Sequence, residues 1–509
     1  MRQGRAWIAG FAVAGLATAA AAAPPAWRGH GNDPQHTAAA PAKTQSAAAI
    51  KWHAKVDASD FGVGQELAIH YAGPVITAAN TVIFPYRITP PSTWQIVARD
   101  GATGASLWTE TTDYISPPTT QLAWTPVVPI HLSAQNKLFY AGAGGTVFRR
   151  NLPDSASGKA VRLVFYGASV YAANEAALAQ DVTVSTPITA DGFGNIYFGF
   201  SASSANPAKL VSGIARIAAN GTGTWVSATA AAADATITEV QWNCAPAVSA
   251  NGKIIYIAVS NGASGYLLGL DATTLATTYK VALTDPASGA ASWVTDLSTS
   301  SPTIGPDGDV YFGVLETPYP SHNDRGWLLH FDATLSKVKT PGSFGWDDTV
   351  SVVPAKLIPG YKASGSYLLM TKYNNYIDIG TGDGKNRIAI LDPNATEADP
   401  IIPAVSVMNE VQTQLGPTAF PGGAPGQVYE WCINSSAVDA KGGAVFAGSE
   451  DGHMYRWDLA SNTINQSLTL NAPRPEPYTP SEVGPDGTIY SLNNATLYAI
   501  GAAAAAARH

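Results

Sequence analysis

The sequence predicts an all-β fold: an eight-bladed β-propeller of four-stranded antiparallel blades, closed by an N-terminal strand. Three observations predict it. A strand–turn–strand unit recurs along nearly the whole chain, the composition suits short strands and tight turns, and a lone strand near the start matches a strand missing from the last repeat. The 509 residues include 48 Gly, 35 Pro, 21 Tyr and 13 Trp, and only 13% are charged, against about 25% in ordinary domains. Low charge with many turn formers favours strands joined by hairpins. A hydrophobic fraction of 46% excludes disorder.

The recurring unit is an apolar strand opened by a small residue and Pro, then an Asp-Gly or Gly turn, then a strand carrying Tyr or Phe. STPITADGFGNIYFGF, CAPAVSANGKIIYIAVS, SSPTIGPDGDVYFGVL and YTPSEVGPDGTIYSLN are examples. The anchor positions are Pro74, Pro126, Pro187, Pro246, Pro302, Pro354, Ser436 and Pro480, and the interval after Pro354 is the longest. One four-stranded blade per unit fits this spacing, with an insertion in the sixth. A second half-unit follows most of them: a strand ending in Asp, a turn, and another strand, as in QIVARDGATGASLW, YLLGLDATTLATTYK and MYRWDLASNTINQ. In such a turn the Asp side chain bonds nearby N–H groups while Gly takes positive φ, and a Trp such as Trp108 packs between blades. The last unit ends at NATLYAIG without an outer strand. Residues 48–57, AAIKWHAKVD, can supply it and remove a free edge, which suits a monomer.

These strings resemble the pyrroloquinoline-quinone (PQQ) repeat propellers, whose repeats run L-Y-A-L-D-x-x-T-G-x-x-x-W, and PAWRGHGNDPQHTAAA looks like the lead-in of that superfamily. The resemblance covers nearly the whole chain after the leader. It implies the fold and leaves the function open, because the family holds both quinoprotein alcohol dehydrogenases and a non-enzymatic outer-membrane assembly scaffold. The dehydrogenases use PQQ with Ca²⁺, Glu and Asn metal ligands, an Asp base and commonly an adjacent cysteine pair. Cys244 and Cys432 are far apart in sequence, no CxxCH is present, and GWDDT (345–349) matches the family's Trp-Asp motif only faintly. No cofactor is therefore expected, and PQQ with Ca²⁺ is the alternative. The two cysteines, on blades that are not neighbours, are expected as buried free thiols.

The segments that lead into the inner strands all enter in one sense, so their side chains should gather at one mouth of the channel. Trp124, Trp242, Asp347, Glu430, Trp431, Asn434, Glu476 and Tyr478 are the candidates for ligand binding there, with Lys372 and Asn374 from the polar string LLMTKYNNYIDIGTGDGKN. Aromatic faces can stack on sugars or apolar groups, and carboxylates can orient hydroxyls or amines. Each Trp can equally be an interblade wedge. Asp383 to Asn386 reads as a hairpin turn. The Asp-Gly turns lack the ligand run of a Ca²⁺ loop, and no metal or catalytic motif appears.

At the start, Arg2 and Arg5 precede an apolar run ending in small residues. Residues 1–23 read as a signal peptide, the alternative being a retained anchor. Residues 24–501 are the propeller and 502–509 a flexible tail. A net charge of −8 without a basic cluster excludes nucleic acid. The chain is thus expected in the periplasm or outside the cell, with no membrane span after leader removal. It is expected to be a monomeric binding or scaffold protein for a small molecule, glycan or envelope protein. The alternatives are a divergent quinoprotein oxidoreductase or a propeller-type polysaccharide lyase.

Overall fold

The computed structural model describes residues 26–59, 67, 69–89, 93–116, 128–295, 298–476 and 480–503. The signal-peptide expectation for residues 1–23, together with Trp124, Pro126 and Tyr478, lies outside them. The described residues form eight antiparallel sheets arranged in chain order. Blade 1 is typical: a short inner strand Val75–Ile76, then Thr81–Thr89, Thr93–Asp100 and the outer Ser106–Thr112. Middle strands are buried on both faces, as in Ile196–Ala202 and Ile254–Ser260, while outer strands such as Thr277–Ala282 and Thr463–Thr469 alternate half-buried and exposed. That contrast explains why the middle strands read as continuous Tyr, Phe, Ile and Val runs.

Local chemistry makes the turns as expected. Asp100 Oδ1 accepts the Thr103 N–H (2.8 Å) and hydroxyl (2.7 Å), and Gly104 follows at φ +73°. A Cβ on Gly104 would stand 2.6 Å from the Trp52 ring, so glycine is needed here for packing as well as for conformation. Trp108 is the expected wedge: its indole N–H donates to Pro153 O of blade 2 (2.7 Å), and the Arg150 guanidinium lies 4.0 Å above its ring.

Ring closure follows the expected pairing. Ala49–Lys55 pairs antiparallel with Thr496–Gly501, in the register Trp52↔Ala499 and Ala54↔Leu497, and completes blade 8. The chain then bridges to blade 1. The Arg87 N–H donates to Val56 O (2.9 Å), Arg87 Nη1 lies 3.4 Å from Asp57 Oδ2, and the Tyr71 hydroxyl donates to the same oxygen (2.7 Å).

Two repeats depart from the expected anchors. In blade 6 the inner strand is Ser351–Pro354, so Pro354 ends the strand and Val350 holds the anchor position. In blade 2 the inner strand is Ile130–Leu132, beyond Pro126. The described residues of blade 5 form three strands, and its outer side is finished by irregular bridges Phe331–Val338 and Leu328–Gly342. The long interval of the sixth repeat completes that side. The hairpin of Arg387–Ala398 and Ser406–Leu415 extends past its own blade, donates the Met408 N–H to Pro341 O (2.8 Å), and buries Val407 in the core of blades 4 and 5. Asp399 near its tip meets His322 Nε2 (3.1 Å), whose ring stacks on Trp327 at 3.8 Å. The sequence between Lys372 and Arg387 is a long irregular loop rather than a tight hairpin, pinned by Asn375 Nδ2 donating to Asp383 Oδ1 (2.8 Å).

Residues 26–45 carry no repeat unit. They run around the inside of the channel as a belt. Trp27 exchanges backbone hydrogen bonds with Ile76 of blade 1 (2.9 and 2.8 Å), and Arg28 O accepts the Leu132 N–H of blade 2 (2.8 Å). His36 Nε2 lies 3.5 Å from Thr189 Oγ1 of blade 3. Pro34 O takes the Val248 N–H of blade 4 (2.7 Å), Gln35 O the Ile304 N–H of blade 5 (2.9 Å), and Thr37 O the Val352 N–H of blade 6 (3.0 Å). Ala38 O takes the Val438 N–H of blade 7 (2.9 Å), and the Gln45 N–H donates to Gly487 O of blade 8 (2.8 Å). Every blade is touched.

Deleting residues 48–57 exposes the edge of Thr496–Gly501 and removes the bridge to blade 1. The truncated chain is expected to melt at lower temperature and to aggregate, measured by calorimetry and light scattering. Unchanged melting and a monodisperse monomer would refute closure as a stabilising contact.

Candidate functional site at the channel mouth

The mouth is built from the segments just before the inner strands. Their small residues tie neighbouring blades together. The Asn243 N–H donates to Ser185 O (3.0 Å), Ala245 N–H to Ser301 Oγ (2.8 Å), Ser301 N–H to Thr349 Oγ1 (3.0 Å) and Thr349 N–H to Asn434 O (2.8 Å). This chain of bonds joins blades 3 to 7, and it gives the Ser and Thr residues beside each anchor a structural purpose.

Within that frame a group of charges converges on Lys372. Its ammonium lies 3.7 Å from Asp347 Oδ2 and is buried at the end of the strand Tyr367–Lys372. Burial opposes its charge, but Asp347, Cys432, Asp348 and Glu430 outweigh that and hold its pKa above the ordinary value. Asp347, at φ +57°, also accepts the Thr299 N–H (2.6 Å) and hydroxyl (2.5 Å). Asp348 accepts the Thr371 hydroxyl (2.5 Å); burial pushes its carboxyl up to about 7 against the pull of Lys372. Burial and the neighbouring Glu316 push Asp324 to about 7 as well. Glu450 is raised well above its usual range by burial and by Glu430, and the Cys432 thiol by burial and by Glu450. His70, from the segment leading into blade 1, reaches this group from across the channel. Its Nδ1 is 3.4 Å from Asn243 Nδ2, and burial lowers it to about 4.

The sequence candidates distribute as follows. Lys372, Asp347 and Glu430 belong to this one electrostatic neighbourhood. Asn434 adjoins it through Thr299, donating to its carbonyl (2.8 Å) and hydroxyl (2.5 Å), while its Oδ1 is buried without a partner. Asn374 serves the scaffold: its side chain brackets the Trp431 backbone (3.1 and 3.3 Å) and its carbonyl accepts from Arg325 (2.7 Å). Glu476 interacts with Glu450, but its carboxyl accepts the N–H groups of Asn494 (2.7 Å) and Ala495 (3.4 Å), bracing the last hairpin turn at φ +51° and +52°. Trp242 and Trp431 are buried, at 7% and 0% exposure, so neither offers a free stacking face. Trp431 packs edge-on to Tyr455 in the core between blades 6 and 7. Asp348 and His70, which precede their anchors like the other lead-in residues, also join the group, and so do Glu450 and Asp324, which sequence reading did not place at the mouth. Their signal was weak because Glu450 and Asp324 come from the loops of SEDG and HNDR rather than from a lead-in. Both cysteines are free thiols, as expected.

No family model matches the chain, and no curated protein matches it. Solved structures do. One similar chain is a europium-containing methanol dehydrogenase, at 9% identity and TM-score 0.56, covering 92% of this chain and 89% of that one. A quinohemoprotein alcohol dehydrogenase from Comamonas testosteroni matches at 13% identity and TM-score 0.51, covering 95% and 82%. BamB from Moraxella catarrhalis matches at 10% identity and TM-score 0.47, covering 91% and 100%. The two dehydrogenase structures show that this chain shares its overall fold with them.

Glu476 yields a test of this electrostatic picture. Burial raises its carboxyl to about 7, against the pull of the two N–H donors and Arg474, whereas an unfolded Glu titrates near ~4.3. Between those values the folded chain keeps a proton that the unfolded chain has lost, so stability falls as pH rises through this window. Glu476→Gln is expected to melt like the parent at pH 4 and above it at pH 8, by at most roughly 4 kcal/mol. Calorimetry at both pH values checks this, and a difference that does not grow with pH refutes it.

Proposed function

We propose that the chain is an exported binding propeller of the periplasm or cell exterior, recognising a small molecule, glycan or envelope protein at the channel mouth. One observation carries this reading: side chains from several blades bring a carboxylate-rich group around the single lysine Lys372. More carboxyl than ammonium in one buried place favours a ligand that supplies hydroxyl or ammonium groups, since unpaired buried charge is costly. The belt pairs with the inner strands of the channel, which supports looking for recognition at the lead-in segments. The apolar leader supports export. Among the described residues no helix is long and apolar enough to cross a membrane.

The fold likeness to dehydrogenases motivates a quinoprotein as the rival. The residues do not fit that cofactor well. The cysteines stand free on blades 4 and 7 instead of forming an adjacent pair. Among the described residues, no three His, Cys, Asp or Glu are placed to hold a metal ion.

Calorimetric titration with neutral oligosaccharides, polyamines and basic peptides tests the proposal. At least one class is expected to bind, and Glu430→Gln is expected to weaken it by about tenfold, or ~1.4 kcal/mol. Binding indifferent to Glu430 would move the site elsewhere. Added PQQ and Ca²⁺ are expected to give no oxidation of alcohols or sugars with an artificial electron acceptor. PQQ-dependent turnover would replace this reading with the rival.

A further inference from the structure

On the mouth side of the belt, the channel encloses a cavity of about 20 Å³, lined among others by His30, Gly73, Ile130, Pro187, Ser435 and Glu482. That is room for one water molecule. Two polar side chains on its wall lack partners. Glu482, on the inner strand Ser481–Val483 of blade 8, is 4% exposed, and its Oε2 makes no hydrogen bond. His30 belongs to the belt, and its Nε2 is likewise buried and without a partner. Gly73 of blade 1 makes the space: a Cβ there would stand 1.8 Å from Glu482 Oε1. A carboxyl in such a place is held neutral, and burial indeed raises the Glu482 pKa well above the carboxylate range while lowering that of His30 well below the imidazole range.

We propose that this cavity is a buried water site that latches the N-terminal belt to blade 8, with the Glu482 carboxyl donating to the water and the His30 imidazole accepting from it. A protonated carboxyl has one O–H to give and a neutral imidazole one nitrogen to receive, so a single water satisfies both. The latch is proton-dependent. An ionised Glu482 has no proton to donate and becomes a buried anion. Beside it the belt places His30, which is itself in edge contact with His36 at 5.0 Å, and the belt also carries Arg28. Blade 2 presents His131, whose Nε2 accepts the Ala190 N–H (3.2 Å). Burial lowers His36 to about 4 and His131 to about 3, so both are neutral at neutral pH. Rising pH therefore loosens the belt.

Hydrogen exchange of the full-length protein, corrected for intrinsic rates and read on residues 26–40, tests the latch between pH 7 and pH 9.5. Opening of that segment is expected to rise about tenfold or more while the middle strands stay protected. Glu482→Gln, which cannot ionise, is expected to be flat over the same range. Gly73→Ala, which drives a methyl into the carboxyl, is expected to open the segment already at pH 7. Exchange independent of pH in the parent, or the same rise in Glu482→Gln, overturns the proposal. So does belt protection that tightens at high pH, which would mark pairing of ionised Glu482 with Arg28. Protection that requires sodium rather than choline chloride at equal ionic strength would show a cation in place of water and also overturns it.

Discussion

Each blade begins with a strand of only two to four residues, paired on one side and facing the channel on the other. A ring of eight such edges gathers unpaired N–H and C=O groups around a narrow axis, where leaving them bare is costly. The belt of residues 26–45 answers this constraint with main-chain bonds to Ile76, Leu132, Val248, Ile304, Val352 and Val438. The closing strand does the same for the one edge left on the outside, at Thr496–Gly501. Stability of the ring therefore depends on backbone pairing supplied by the first thirty-odd described residues more than on any one core side chain.

The polar mouth follows from the same architecture. Lead-in segments cannot form strands across the axis, so their side chains knit adjacent blades. Asp347 of blade 6 holds Thr299 of blade 5, and Asn434 of blade 7 holds the same residue. Asp347, with Asp348, also faces Lys372. Scaffold and candidate site thus share side chains, so under the proposed function substitutions at the mouth are expected to change stability and recognition together.

Much of the ring was legible because its signals are local and periodic. The Asp100–Gly104 turn, the Trp108 wedge and the lone strand around Trp52 each carry a side-chain signature repeated elsewhere in the chain. The belt was not, since it binds through the carbonyls of Arg28, Pro34, Gln35 and Thr37, which any residue possesses. Pro354 misled for a related reason. The anchor position asks only for a residue that opens an extended strand, and Val350 does this as well as proline. Asp347 and Glu430, read from the lead-in order, and Lys372, read from a polar string, lie in one electrostatic neighbourhood, but sequence could not distinguish a Trp facing the channel from one wedged between blades, and Trp431 is a wedge. Glu476 shows the same ambiguity for a carboxyl, since two backbone N–H groups claim it.

The belt also works as a ruler. Its residues meet the blades in nearly the order in which the blades occur, from Trp27 at the first to Gln45 at the eighth. The segment is held in turns, with Gly31, Asn32, His36 and Ala38 at positive φ, so its carbonyls point at fixed places, and a ring with one blade more or fewer would set its inner strands elsewhere. Loss or duplication of a single repeat, the commonest genetic accident in an array, would put the belt out of step with every blade beyond the change. An element that contributes no repeat of its own thereby sets how many repeats the ring can hold.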